Sequence, residues 1–308
     1  MSTGQGRDGP RPVASVAGHG TPPAGADPDR ELAELFRPVV RAALDEDLGR
    51  GGDPTSQELA GEAAARLVAR SGGVVAGLAG VEVALVETAS RLGLPPGRFL
   101  AAATDGDRVA PAAVLGRVAG PARVLLAAER TILNLLGHLS GVATLTAAFV
   151  ARVEGTAAVV RDTRKTTPGL RLLEKYAVRC GGGRNHRLGL YDALLVKDNH
   201  LRAAGGLAAA VAAARAAAPD LPLEVEADTL EQVAEALEAG CDLVLLDNMD
   251  AAKMARAVVM AQGKARTEAS GGITLATVRE VARTGVDFVA VGALTHSAPA
   301  LDVALDWE

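Results

Sequence analysis

The sequence predicts an α/β protein: an incomplete parallel βα barrel of about six or seven strands, with an N-terminal α+β open-sandwich domain. Three observations predict it. From 157 onward, short apolar runs alternate with single amphipathic helices every ~20–30 residues, which is the period of βα units. Between 64 and 121 the apolar runs are brief and separated by turn residues, the pattern of a mostly antiparallel unit. Finally, 49% of the 308 residues are hydrophobic but only 2% are aromatic, so the core must be built from Ala, Val and Leu. Those residues pack well in parallel sheets covered by helices.

Taken in order, residues 1–28 are rich in Gly, Pro, Ser and Ala and read as a disordered tail. A helix is expected from near Asp29, where Leu32, Leu35, Phe36, Val39 and Val40 recur at helical spacing. Residues 45–55 form an acidic, glycine-rich loop. Strands are expected at 66–69, 74–76, 99–102 and 112–118, a helix at 81–92, and a tight turn at 105–109. A long helix should cover 123–154, broken near Ser140-Gly141. The barrel strands are expected at 157–160, 193–196, 223–225, 243–246, 265–267 and 288–291, with helices at 229–239, 251–261 and 275–283. This places an N-terminal α+β domain with dimerisation helices at 29–135 and the catalytic barrel at 136–308.

Composition excludes several classes. A net charge of -5 and so few aromatics remove both the basic footprint and the stacking platforms of a nucleic-acid binder. Cys180 and Cys241 are too far apart for a CxxC motif, and two cysteines in so long a chain suit a reducing cytosol. No apolar run is expected to reach the ~20 residues of a membrane span, and the N-terminus lacks the pattern of a signal peptide. A soluble cytoplasmic protein is the expectation.

Each barrel strand runs into polar residues: Asp162-Thr163-Arg164-Lys165, Lys197-Asp198-Asn199, Glu226, Asp247-Asn248, Glu268 with Ser270, and Gly292. In a βα barrel the C-terminal strand ends converge on one mouth, where the active site lies. Residues 161–200 hold nine Lys or Arg against four acids, in a chain of net charge -5. Arg171, Lys175 and Arg179 lie four apart on a helix and read as a solvated face. Arg164, Lys165, Lys197 and Arg187 abut strand ends or a glycine run and point to a small polyanionic substrate. Ser270-Gly271-Gly272 and Val291-Gly292-Ala293 follow consecutive late strands, where barrels bind phosphate on free backbone N–H groups. Gly181-Gly182-Gly183 reads as a flexible bend that lets backbone approach a ligand. Glu226 and Asp247 are open to three roles: a base, a divalent metal site, or stabilisation of a developing cation. An ion pair across the mouth is their structural alternative. A zinc site at His186 and His200 is not expected.

These motifs, in order from about residue 30 to the C-terminus, resemble the quinolinate phosphoribosyltransferase family. The resemblance rests on Glu129-Arg130-Thr131-Ile132-Leu133-Asn134, Asp162-Thr163-Arg164-Lys165-Thr166, Glu174-Lys175-Tyr176-Ala177-Val178, Asn185-His186-Arg187, Lys197-Asp198-Asn199-His200, Glu224-Val225-Glu226, Ser270-Gly271-Gly272 and Gly292-Ala293-Leu294-Thr295-His296-Ser297. It implies phosphoribosyl transfer from 5-phosphoribosyl-1-pyrophosphate to quinolinate, with loss of CO2 and pyrophosphate, giving nicotinate mononucleotide with Mg2+ and no organic cofactor. It also implies a homodimer in which Arg130 enters the neighbour's site. By the same resemblance Arg130, Arg164, His186 and Arg187 surround the dicarboxylate, with Thr163 beside them. Lys165 and Lys197 also neutralise pyrophosphate, Glu226 and Asp247 serve ribose and metal, and the loops at Ser270, Gly271, Gly272, Val291, Gly292 and Ala293 hold the 5′-phosphate. A sister phosphoribosyltransferase acting on another ring acid is the nearest alternative. A Schiff-base lyase using Lys197 and a non-enzymatic ligand binder are the more distant ones.

Overall fold

The computed structural model describes residues 28–308. The expected tail therefore lies outside the described residues, apart from Pro28, which opens the first helix. Along the chain run α1 (Pro28–Leu48), β1 (Glu62–Ala69), β2 (Gly73–Val74), α2 (Ala79–Leu92), β3 (Arg98–Ala101), β4 (Arg108–Val109), β5 (Val114–Pro121) and α3 (Ala122–Val153). Then come β6 (Val159–Arg161), α4 (Arg171–Cys180), β7 (Leu194–Val196), α5 (Asp198–Ala204), α6 (Leu207–Ala217), β8 (Leu223–Ala227), α7 (Leu230–Glu238) and β9 (Leu243–Asp247). The chain ends with α8 (Ala251–Ala261), β10 (Arg266–Ser270), α9 (Val278–Arg283), β11 (Phe288–Ala290), α10 (Ala293–His296) and β12 (Val303–Trp307).

Contacts group the described chain into two compact units. One comprises 151–164 and 186–291; the other comprises 28–150, 165–185 and 292–308. The first holds the parallel sheet, with six strands in the order β6-β11-β10-β9-β8-β7. β6 and β7 stand at its edges, so the barrel is incomplete, as the sequence predicts. Its helices are short and amphipathic. Thr229 starts α7 with a capping box shared with Gln232, and Asp250 starts α8 by accepting from the Lys253 amide.

The second unit holds an antiparallel sheet in the order β12-β1-β5-β3. The C-terminal strand β12 returns to pair with β1, from Ala65 opposite Trp307 to Ala69 opposite Val303. Sequence reading missed β12 and assigned the C-terminus to the barrel. Nothing local in Val303–Trp307 says which sheet receives it.

Helix α3 is continuous, against the expected break at Ser140-Gly141. Ser140 Oγ accepts from the Ala76 amide at 3.0 Å, and a Cβ on Gly141 would collide with the Pro299 carbonyl oxygen. The glycine is there for close approach, not to end the helix. α3 is also long and apolar enough to cross a membrane, contrary to expectation, but 67% of its most apolar stretch is buried inside the protein. It is a core helix of this unit.

Two further readings change. Lys175 is fully buried, so α4 does not present one solvated basic face. Gly181 and Gly183 lie against Ala143, Thr146 and Val178, which makes the triple glycine a packing seam between α4 and α3 and not a bend open to a ligand.

Candidate functional site

Strand register in the parallel sheet fixes which side chains share a face. Leu195 lies opposite Glu224, Glu224 opposite Leu243, Glu226 opposite Leu245, and Leu245 opposite Glu268. Ser270 lies opposite Asp247, and Glu268 opposite Phe288. Because side chains alternate with period two, Glu224, Glu226, Asp247, Glu268 and Ser270 all project from one face. Arg161 joins them through the pairing of Val159 with Phe288.

Toward the C-terminal strand ends, Lys197 follows β7, and its Nζ lies 2.5 Å from Glu226 Oε2. The pair is asymmetric: the lysine side chain is 42% exposed and the glutamate 14%. Asp247 ends β9, and its Oδ2 accepts from the Asn248 amide group at 2.6 Å. Asn248 has a positive φ of 53° and its backbone N–H donates to the Ser270 carbonyl. A Cβ on Gly271 would stand 2.9 Å from the Asn248 nitrogen, so this turn requires glycine both for space and for its φ of +96°. The Lys197 amide donates to His200 Nδ1 at 3.0 Å, which caps α5.

Deeper in the same face lies a charged network. Arg161 Nη1 donates to Glu268 Oε2 at 2.6 Å, and its guanidinium stacks over the Phe288 ring. His186 Nε2 lies 2.9 Å from Glu224 Oε2 and 3.3 Å from Glu268 Oε1. All four polar side chains are buried. Burial alone would raise the pKa of Glu268, but Arg161 and His186 outweigh it and hold the carboxyl below its ordinary range. For His186, burial disfavours a charged ring, but Glu224 and Glu268 outweigh it and push the pKa up to about 10. The Arg187 amide donates to His186 Nδ1 at 2.7 Å, so both ring nitrogens are engaged within the protein.

Arg187 carries its side chain toward the Ala193 carbonyl. Burial and the neighbouring Arg164 guanidinium both lower its pKa, with Glu224 and Asp192 opposing. Two guanidinium groups that influence one another in this way suit two carboxylates on a planar acid. Thr163 and Arg164 continue directly from β6, as expected.

The other unit holds the remaining expected residues. Arg130 is exposed on α3, and Lys165 is exposed. Thr295 Oγ1 donates to the Lys165 carbonyl at 2.8 Å. A Cβ on Gly292 would meet Lys165 Cδ at 3.1 Å and His296 Nε2 at 3.2 Å, so both side chains lean on that glycine. Val291 ends the first unit, and Gly292 and Ala293 begin the last segment of the second.

Sequence reading placed Glu268 at a strand end of the mouth without giving it a role, and gave none to Glu224, Asp192, Arg161 or His296. The signal for two of them was present: Glu224 and Glu226 alternate within one strand, as do Glu268 and Ser270.

A sheet face of this kind defines an α/β enzyme that handles carboxylated and phosphorylated small molecules. Comparison narrows the class. Residues 53–140 match the N-terminal domain of quinolinate phosphoribosyl transferase and residues 142–306 its C-terminal domain. The chain belongs to the quinolinate phosphoribosyltransferase family. It is 49% identical over 279 residues to the nicotinate-nucleotide pyrophosphorylase (carboxylating) of Mycobacterium leprae, covering 89% of this chain and 97% of that one. It is 42% identical to a probable enzyme of the same name from Bacillus subtilis, covering 85% and 89%. Among solved structures, the nicotinate-nucleotide pyrophosphorylase of Francisella tularensis superposes with a TM-score of 0.85 at 37% identity, over 90% of this chain and 97% of that one.

Proposed function

We propose that this chain transfers the phosphoribosyl group of 5-phosphoribosyl-1-pyrophosphate to quinolinate with decarboxylation, giving nicotinate mononucleotide, CO2 and pyrophosphate in NAD biosynthesis. Family membership across both halves of the chain supports it. The observation that carries the acceptor is the match of both family domains, and two arginines in one unit, Arg164 after β6 and Arg187 before β7, suit a dicarboxylate better than a monocarboxylate.

The residues divide by chemistry. Arg164 and Arg187 take the ring carboxylates, with Thr163, His186 and Arg130 of the partner subunit completing the surroundings by family resemblance. Lys165 and Lys197 neutralise the donor's pyrophosphate. As the C1′–pyrophosphate bond lengthens, positive charge develops on the ribose, and the fixed carboxylates of Glu226 and Asp247 stabilise it. The N-ribosylated ring then accepts the electron pair left by CO2, so no side chain need act as a strong acid. The Ser270-Gly271-Gly272 and Val291-Gly292-Ala293 turns offer backbone N–H groups to the 5′-phosphate.

Glu226 and Asp247 also fit Mg2+. They project from the same face of neighbouring strands, and two carboxylates suit an ion that keeps waters and takes its other oxygens from substrate phosphate. When bound, the ion would neutralise charge on the departing pyrophosphate. A homodimer and a cytoplasmic setting complete the proposal.

The test is product formation from quinolinate, donor and Mg2+, with nicotinate as control acceptor. Losing one charge-assisted carboxylate contact costs ~1.5–3 kcal/mol, so nicotinate should be poorer by at least about tenfold. Comparable turnover of the two acids would sink the dicarboxylate reading.

A further inference from the structure

The main chain of the 186–189 loop is held by side chains at four successive amides. The His186 N–H donates to Asp162 Oδ1 at 2.8 Å, and the Arg187 N–H to His186 Nδ1 at 2.7 Å. The Leu188 and Gly189 N–H groups donate to the two carboxylate oxygens of Asp192 at 2.6 and 2.9 Å. Such a loop cannot shift without breaking several buried hydrogen bonds. The ring of His186 is its centre. Nδ1 accepts from the Arg187 amide, and Nε2 sits between Glu224 and Glu268, with Arg161 fixing Glu268 from behind.

We propose that His186 serves the acceptor indirectly: with Glu224 and Glu268 it forms a buried brace that fixes the Arg187 main chain and so sets the Arg187 guanidinium beside Arg164. This rests on the reading of quinolinate as acceptor. Nε2 points at the two carboxylates and Nδ1 at the Arg187 amide, so the ring is turned toward the protein at both nitrogens. Glu224 and Glu268 are then positioning residues that act through His186 on Arg187. Glu224 on β8 and Glu268 on β10 face Nε2, and the Arg187 amide of its own loop faces Nδ1, while Asp162 holds the His186 backbone N–H and Arg161 holds Glu268. His186, Glu224 and Glu268 could also be imagined around a cation, since their ligand atoms lie within 4.8 Å of one another. The Arg161 guanidinium 2.6 Å from Glu268 argues against it, because it places a fixed positive charge in that cluster.

The experiment compares His186→Ala with His186→Asn, and Glu224→Ala with Glu224→Gln, in the full-length protein. Asn places an oxygen where Nδ1 stands and can accept the Arg187 amide, and Gln keeps an acceptor for Nε2–H. Both alanine variants should raise the KM for quinolinate about tenfold or more while leaving the KM for the donor within about twofold. The Asn and Gln variants should recover most of that loss, although neither carries charge. If His186 instead meets the acceptor as a cation, Asn restores nothing, and that result overturns the brace. Unchanged quinolinate KM in both alanine variants overturns it as well. Should the alanine variants fail to fold, the Asn and Gln variants are read against wild type, and a tenfold rise in either refutes the proposal. Wild-type protein unable to use quinolinate would overturn the functional reading itself, whereas wild-type turnover without the KM pattern overturns only the brace.

Discussion

Glu226→Gln separates chemistry from structure because of where its partner sits. Lys197 is 42% exposed, so water solvates its ammonium when the opposing carboxylate is neutralised. Exposed ion pairs are worth ~0–1 kcal/mol, and the stability cost of the change should stay near that value. The contrast is Glu268, fully buried against Arg161, whose side chain is 5% exposed. Glu268→Gln removes a buried carboxylate that faces the Arg161 guanidinium, a loss of ~3–5 kcal/mol. Activity should separate the other way. Removing one preorganised electrostatic partner costs ~10²–10³ in turnover, about 3–4 kcal/mol of barrier, so Glu226→Gln should be nearly inactive while melting close to wild type. The assay is initial rate of nicotinate mononucleotide formation at saturating substrates beside a thermal melt. Near-native turnover in a normally melting Glu226→Gln protein would refute the catalytic reasoning. A melting loss as large as that of Glu268→Gln would show the carboxylate to be structural.

Arg130→Ala and Arg164→Ala should each be nearly inactive, yet mixing them under subunit exchange should restore part of the activity; verified exchange without recovery would mean each chain builds its site alone. Gly141→Ala should destabilise by ~1–3 kcal/mol, because its methyl meets the Pro299 carbonyl and Ala300 Cα, and unchanged melting would remove the close-approach argument. Hydrogen bonds from Arg41, opposed by burial and aided by Arg37, hold the Glu87 carboxyl below its ordinary pKa. A depressed carboxyl stabilises the fold above its unfolded pKa and loses that contribution as pH falls through its folded value. The melting advantage of wild type over Glu87→Gln should therefore shrink as pH drops below about 4; an advantage that grows with acid contradicts the assignment.

The sequence by itself determined the repeating βα pattern, the polar residues at each strand end and the glycine turns after β10 and β11. Each is a local property: period-two or helical periodicity, a charge placed after an apolar run, a glycine where φ is positive, as at Gly271, or where side chains crowd the backbone, as at Gly292. The paired cationic residues Arg164 and Arg187 were visible for the same reason. Only the tertiary structure decided that β12 crosses back to β1, that Gly141 continues a helix, and that Lys175 is buried rather than solvated. It alone brought Asp162, His186, Glu224 and Glu268 around one loop, although they come from three strands and a connection more than a hundred residues apart. Partnership among buried polar groups depends on register and burial, and both are set by chain segments that sequence periodicity does not relate to one another.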